Sequence, residues 1–76
     1  MDKARERFVR LAEARTTKLL KGIDVLGNLA NRNNYSYTEP DIRKIFRSLR
    51  GRLKQVEGMF LNEQAKEKGQ GFKLEE

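Results

Sequence analysis

The sequence predicts an all-α protein, an antiparallel helical hairpin that dimerises into a four-helix bundle. Two long stretches carry apolar residues three and four positions apart, which is the spacing of one helix face. A segment rich in Asn separates them and favours a turn. A chain of 76 residues buries only a modest fraction of its surface alone, and the first stretch is apolar over a wide arc. These last two features predict that two hairpins associate.

The first helical pattern covers residues 3–30. Its main apolar residues share one face at about 100° per residue, and flanking apolar residues widen this face to roughly half of the helix circumference. More than one neighbouring helix is therefore expected. Gly22 and Gly27 each lower helix propensity by about 1 kcal/mol relative to Ala, so a kink or an earlier end near Gly27 is the alternative. The residues of the apolar face are Phe8, Ala12, Leu19, Ile23, Leu26 and Ala30.

Residues 31–38 are predicted to form the turn. Asn side chains hydrogen-bond to nearby backbone, so Asn31, Asn33 and Asn34 favour ending a helix. Thr38 is then expected to cap the second helix, with Asp41 three residues later completing an approximate capping box. Pro40 suits the first helical turn, where backbone N–H groups have no helical partner.

The second helical pattern covers residues 39–66 and is the most regular in the chain. Its spacing favours antiparallel packing against the first helix, so residues 1–66 are predicted to form a single helical-hairpin domain. Residues 67–76 carry many charges and two glycines, which predicts a flexible polar tail. The apolar residues of the second helix are Ile42, Ile45, Phe46, Leu49, Leu53, Val56 and Phe60.

The composition excludes several classes of function. The sequence has no Cys and no His, so a disulfide scaffold and the usual Cys or His metal sites are excluded. It has neither a suggestive carboxylate pair nor a Gly-rich phosphate loop, so we expect a protein that is not an enzyme and needs no cofactor or metal. No signal peptide or membrane-spanning run is evident, which favours a cytoplasmic location.

The positive charge is concentrated in the middle of the chain. Of the net +6, residues 31–54 carry seven Lys or Arg against two acids, a net +5. Four of these cations recur on one predicted helix face and can follow a row of phosphates, with a solvated surface as the alternative interpretation. They are Arg43, Arg47, Arg50 and Lys54.

Arg32, Tyr35 and Tyr37 lie in the predicted turn. Aromatic rings beside arginines can stack on unpaired bases or anchor a protein interface. The alternative is local packing. In that case we expect Tyr35 to cover the end of the hairpin, and Tyr37 to pack on the second helix near Ile42 or the stem of Arg43.

The predicted plan of residues 3–66 resembles that of the Rop-type RNA-binding proteins, which are helical hairpins that dimerise into four-helix bundles. The resemblance is architectural, so it assigns no functional residue. The first hypothesis is a non-enzymatic regulatory or nucleic-acid-binding homodimer that uses the seven residues above. The alternative is an adaptor, inhibitor or assembly factor whose basic face binds an acidic protein. Membrane binding is disfavoured because the bundle already uses the apolar faces, and no small-molecule substrate is evident.

Overall fold

The computed structural model of the chain describes residues 2–68, with the backbone alone at residues 67 and 68. Helix α1 spans Lys3–Gly27, a 3-10 turn spans Asn28–Ala30, and helix α2 spans Glu39–Lys68. No strand occurs in this described part of the chain, which confirms the predicted all-α class. The chain divides into two compact units, of which the first ends at Tyr37 and the second begins at Thr38.

Helix α1 begins with a side-chain cap that the sequence interpretation missed. The Asp2 carboxylate accepts a hydrogen bond from the backbone N–H of Arg5 at 2.7 Å, and Glu6 places a second negative charge in the first turn. Both features stabilise a helix N-terminus, because its first N–H groups have no helical acceptor and carry partial positive charge. The indication available in the sequence was an Asp directly before the apolar pattern.

Helix α1 ends at Gly27, earlier than the main prediction of residue 30. The next three residues tighten into the 3-10 turn before the backbone becomes extended at Asn31, with φ −70° and ψ 102°. The earlier end near Gly27 is therefore confirmed. Low helix propensity at Gly27, followed directly by Asn28, explains why the α-helical hydrogen bonding does not continue to the residue predicted.

The Asn-rich segment forms the predicted turn through its own hydrogen bonds. The Asn31 side-chain oxygen accepts from the Asn33 backbone N–H at 2.9 Å. The Asn31 carbonyl oxygen accepts from the backbone N–H groups of Asn34 at 3.1 Å and Tyr35 at 3.0 Å. Asn31 alone thus organises the four residues that follow it, as expected for a side chain that competes with the helical hydrogen-bond pattern.

Helix α2 begins with the reciprocal capping box that the sequence predicts. The backbone N–H of Asp41 donates to the Thr38 hydroxyl oxygen at 3.2 Å, while the backbone N–H of Thr38 donates to the Asp41 carboxylate at 2.9 Å. These bonds satisfy two N–H groups that the helix leaves without acceptors. Hydrogen bonds from Thr38, first from its backbone and then from its side chain, lower the pKa of Asp41.

Replacing Asp41 with Asn is expected to destabilise the start of α2 at neutral pH, and this difference from the wild type should disappear in acid. Because folding lowers the Asp41 pKa, the stabilisation is present above the ordinary pKa of about 3.9 and is lost as pH falls through the lower folded value. Far-ultraviolet circular dichroism of both proteins between about pH 7 and pH 2 measures it. A difference that persists unchanged at the acidic end would contradict the role of the carboxylate charge.

The other end of α2 extends to Lys68, two residues beyond the predicted end at residue 66. Of the polar tail predicted for residues 67–76, residues 69–76 lie outside the described residues. Neither described helix is long and apolar enough to cross a membrane.

The apolar faces of both helices are exposed. Ile23 on α1 is 45% exposed, and Leu49 and Phe46 on α2 are 36% and 39% exposed. None of the described residues is fully buried. Each helix thus carries an apolar face with exposed side chains.

Candidate functional site

Four cations form a single row along the first half of α2. We call Arg43, Arg47, Arg50 and Lys54 the basic row. All four side chains are exposed, and the helix is continuous from Glu39 to Lys68. Because the spacings of four, three and four residues repeat the helical turn, the row stays on one face. It extends over about 16 Å at 1.5 Å per residue. This is the face that the sequence predicts.

One member of the basic row already has an acidic partner. The Arg43 guanidinium donates to the Glu39 carboxylate one helical turn earlier, and the two side chains are 64% and 75% exposed. An exposed pair of this kind contributes at most about 1 kcal/mol, so a stronger anion can compete for Arg43. The order of Glu before Arg at a spacing of four residues made this contact predictable, although the sequence interpretation did not identify it.

The other three members of the basic row form no ion pair within the residues whose side chains the structure describes. The second ion pair in that part of the chain joins Lys66 to Glu63 at 3.5 Å, and it lies beyond the row. Arg47, Arg50 and Lys54 thus present three uncompensated cations along one face. Two of them are guanidinium groups, which offer paired donors to carboxylate or phosphate oxygens.

In the turn, Arg32 and Tyr37 contact each other. The central carbon of the Arg32 guanidinium lies 4.5 Å from the centroid of the Tyr37 ring. The Tyr37 hydroxyl donates to the Ala30 carbonyl oxygen at 2.8 Å. A ring held at its polar end in this way provides a fixed surface for the cation. Arg32 and Tyr37 thus have a structural use within the first unit.

The two tyrosines differ in their surroundings. Tyr37 is half-buried and contacts Ala30 and Arg32, two partners that the sequence analysis did not name. Its packing near Ile42 or the stem of Arg43 stays a prediction. Tyr35, expected to be the packed ring, is 47% exposed. Asn31 fixes the Tyr35 backbone, and the Tyr37 hydroxyl bonds to the carbonyl at the end of the 3-10 turn.

The predicted site residues therefore fall into two groups. The structure brings Arg32 and Tyr37 together in the first unit and leaves the Tyr35 ring exposed there. The basic row lies on one face of α2 in the second unit. Within the described residues, no three acidic side chains cluster in a way that could hold a metal ion. The chemistry that these groups can perform is the binding of anions and the stacking of flat rings.

Comparison of the chain with protein-family models, with curated proteins and with solved structures gives no match.

Proposed function

We propose that this chain is a small, basic, non-enzymatic protein that binds nucleic acid in the cytoplasm and acts as a homodimer, with a regulatory role. The observation that carries the proposal is the basic row, an exposed line of four cations of which three have no ion-pair partner within the described residues. Phosphates of nucleic acid are the natural partners for such a line. When a Lys or Arg neutralises a phosphate, the counterion condensed there is released into solution, and this release favours binding.

The distribution of charge supports a polyanion as the partner. Residues 31–54 carry a net +5 of the total +6, so the positive potential is concentrated on one part of the chain. A concentrated patch attracts a polyanion more effectively than the same charge spread evenly, and it raises the association rate at low salt. No cofactor, metal or small-molecule substrate is needed for this function.

The exposed apolar faces support the dimer. In the proposed assembly each chain folds as an antiparallel helical hairpin, and two hairpins bury their apolar faces in a four-helix bundle. Ile23 and Leu49, now 45% and 36% exposed, would enter that core. The basic row is centred about 120° around α2 from its apolar face, so it would stay outside the bundle.

Binding of fluorescent oligonucleotides by the full chain tests this function. Single strands and duplexes of DNA and RNA are titrated at about 20 mM and about 200 mM salt, and anisotropy is measured. We expect binding at low salt that weakens steeply at the higher concentration. Absence of binding to every oligonucleotide at low salt would overturn the proposal.

Glu39→Gln is expected to strengthen nucleic-acid binding by roughly two- to fivefold at low salt, because it removes the carboxylate that holds Arg43 and a charge that repels phosphate. Glu63→Gln is the matched control, since it also removes an exposed, paired carboxylate from α2 but one beyond the basic row. Equal effects of the two changes would show that net charge alone matters and that Arg43 has no particular role.

A second candidate function is supported by the contact between Arg43 and Glu39, in which one member of the basic row donates to a carboxylate of the same helix. The alternative is a protein-interaction module, an adaptor, inhibitor or assembly factor that binds an acidic protein surface. Competition between an oligonucleotide and a poly-glutamate chain of equal charge separates the two functions. Displacement of bound oligonucleotide by poly-glutamate at equal concentration would favour the protein partner.

A further inference from the structure

The turn presents an aromatic residue whose backbone is fixed and whose side chain is about half exposed. The Tyr35 N–H donates to the Asn31 carbonyl oxygen at 3.0 Å, which ties this residue to the turn. The ring itself is 47% exposed, and no hydrogen bond holds its hydroxyl within the described residues. A tyrosine side chain has only two rotatable bonds, so it loses little conformational entropy when a partner covers it.

A cation is held in position three residues before this ring. Arg32 is exposed, yet its guanidinium lies over the Tyr37 ring, and Tyr37 is anchored by its hydroxyl to Ala30. A guanidinium already placed over an aromatic ring has fewer orientations to lose on binding, and its donors remain available to a phosphate. The turn thus combines an open aromatic surface with a positioned phosphate-binding group.

We infer that the turn binds an unpaired base of a single-stranded nucleic acid, with the base stacked on Tyr35 and the neighbouring phosphate held by Arg32. The inference rests on the proposed function and specifies its substrate class. In a duplex the flat faces of the bases are covered by their neighbours, so only an unpaired base can stack on a protein ring. In the proposed function the basic row contacts phosphates. Phosphates are present in single strands and in duplexes, so the basic row does not distinguish between the two.

The test compares two single strands of equal charge, each of about 12 nucleotides. One carries thymine at every position, and the other carries abasic sites at every position. The full chain should bind the thymine strand more tightly, and Tyr35→Ala should weaken that binding by about 5- to 150-fold, the range found for loss of one stacked base. The same change should leave binding to the abasic strand unaltered.

Two further variants separate stacking from other effects. Tyr35→Phe retains the ring and should bind the thymine strand within about threefold of the wild type. Arg47→Gln with Arg50→Gln should weaken binding to both strands alike. Circular dichroism shows whether each variant keeps its helices.

The outcomes distinguish the two proposals. Equal wild-type binding to the thymine and abasic strands, or equal losses on both in Tyr35→Ala, would overturn base stacking and leave the nucleic-acid function standing. Failure of the wild type to bind either strand while it binds duplexes would overturn base stacking alone. Failure to bind any oligonucleotide at low salt, duplexes included, would overturn both.

Discussion

Leu49→Ala is expected to lower the free energy of unfolding by about 2 to 5 kcal/mol. In the proposed bundle the Leu49 side chain is surrounded by apolar residues of neighbouring helices, and its truncation removes contacts and leaves a cavity. In the single chain the same side chain is 36% exposed, so the bundle would cover surface that is now open. The effect of the substitution therefore reports on burial of the apolar face of α2.

Thermal unfolding followed by circular dichroism measures this effect, with Gln55→Ala as the control. Gln55 lies on α2 outside its apolar face, and its replacement should change stability by less than about 0.5 kcal/mol. The wild-type melting temperature should also rise with protein concentration, because association stabilises the folded form by mass action. Equal melting curves for Leu49→Ala and Gln55→Ala would show that Leu49 is not a core residue.

Arg47→Gln combined with Arg50→Gln is expected to weaken nucleic-acid binding by roughly 10- to 100-fold at about 50 mM salt. Both guanidinium groups belong to the uncompensated part of the basic row. Loss of two phosphate contacts should also reduce the slope of log K against log salt by about 1.8 for duplex DNA, or by about 1.4 for a single strand. A change in slope identifies lost counterion release, and circular dichroism shows whether the variant keeps its helices.

The matched control is Lys44→Gln combined with Arg52→Gln. It removes the same amount of charge from the same helix but at positions outside the basic row. This control should lower affinity only slightly and leave the salt slope within about 0.5 of the wild type. If the two double variants behave identically, the face of α2 that contacts nucleic acid has been assigned wrongly.

Local chemistry made much of the helical structure predictable from the sequence. Thr38 and Asp41 are three residues apart. At this spacing the side chain of each can accept a hydrogen bond from the backbone N–H of the other. The end of α1 was harder to predict, since Gly27 permits a helix and merely disfavours it. Asp2 was missed although it directly precedes the first helical pattern, because no cap was sought at that end of the helix.

The candidate site was predictable where it depends on helical spacing. The basic row follows directly from spacings of four, three and four residues on a continuous helix. The roles of the two tyrosines depend on the path of an irregular segment, which periodicity does not describe. The bond from Tyr37 to Ala30 spans seven residues and requires the turn geometry set by Asn31. Without that geometry, the more exposed of the two rings could not be identified.

Sedimentation velocity of the full chain with a labelled single-stranded oligonucleotide tests the central proposal, a dimer that binds nucleic acid. At about 50 mM salt the free protein should sediment as a species of about 18 kDa, twice the mass of the 8.9 kDa chain, and the oligonucleotide should move with it. At about 300 mM salt the dimer should persist while the oligonucleotide is released. A folded monomer with the oligonucleotide sedimenting alone at the lower salt concentration would contradict the proposal.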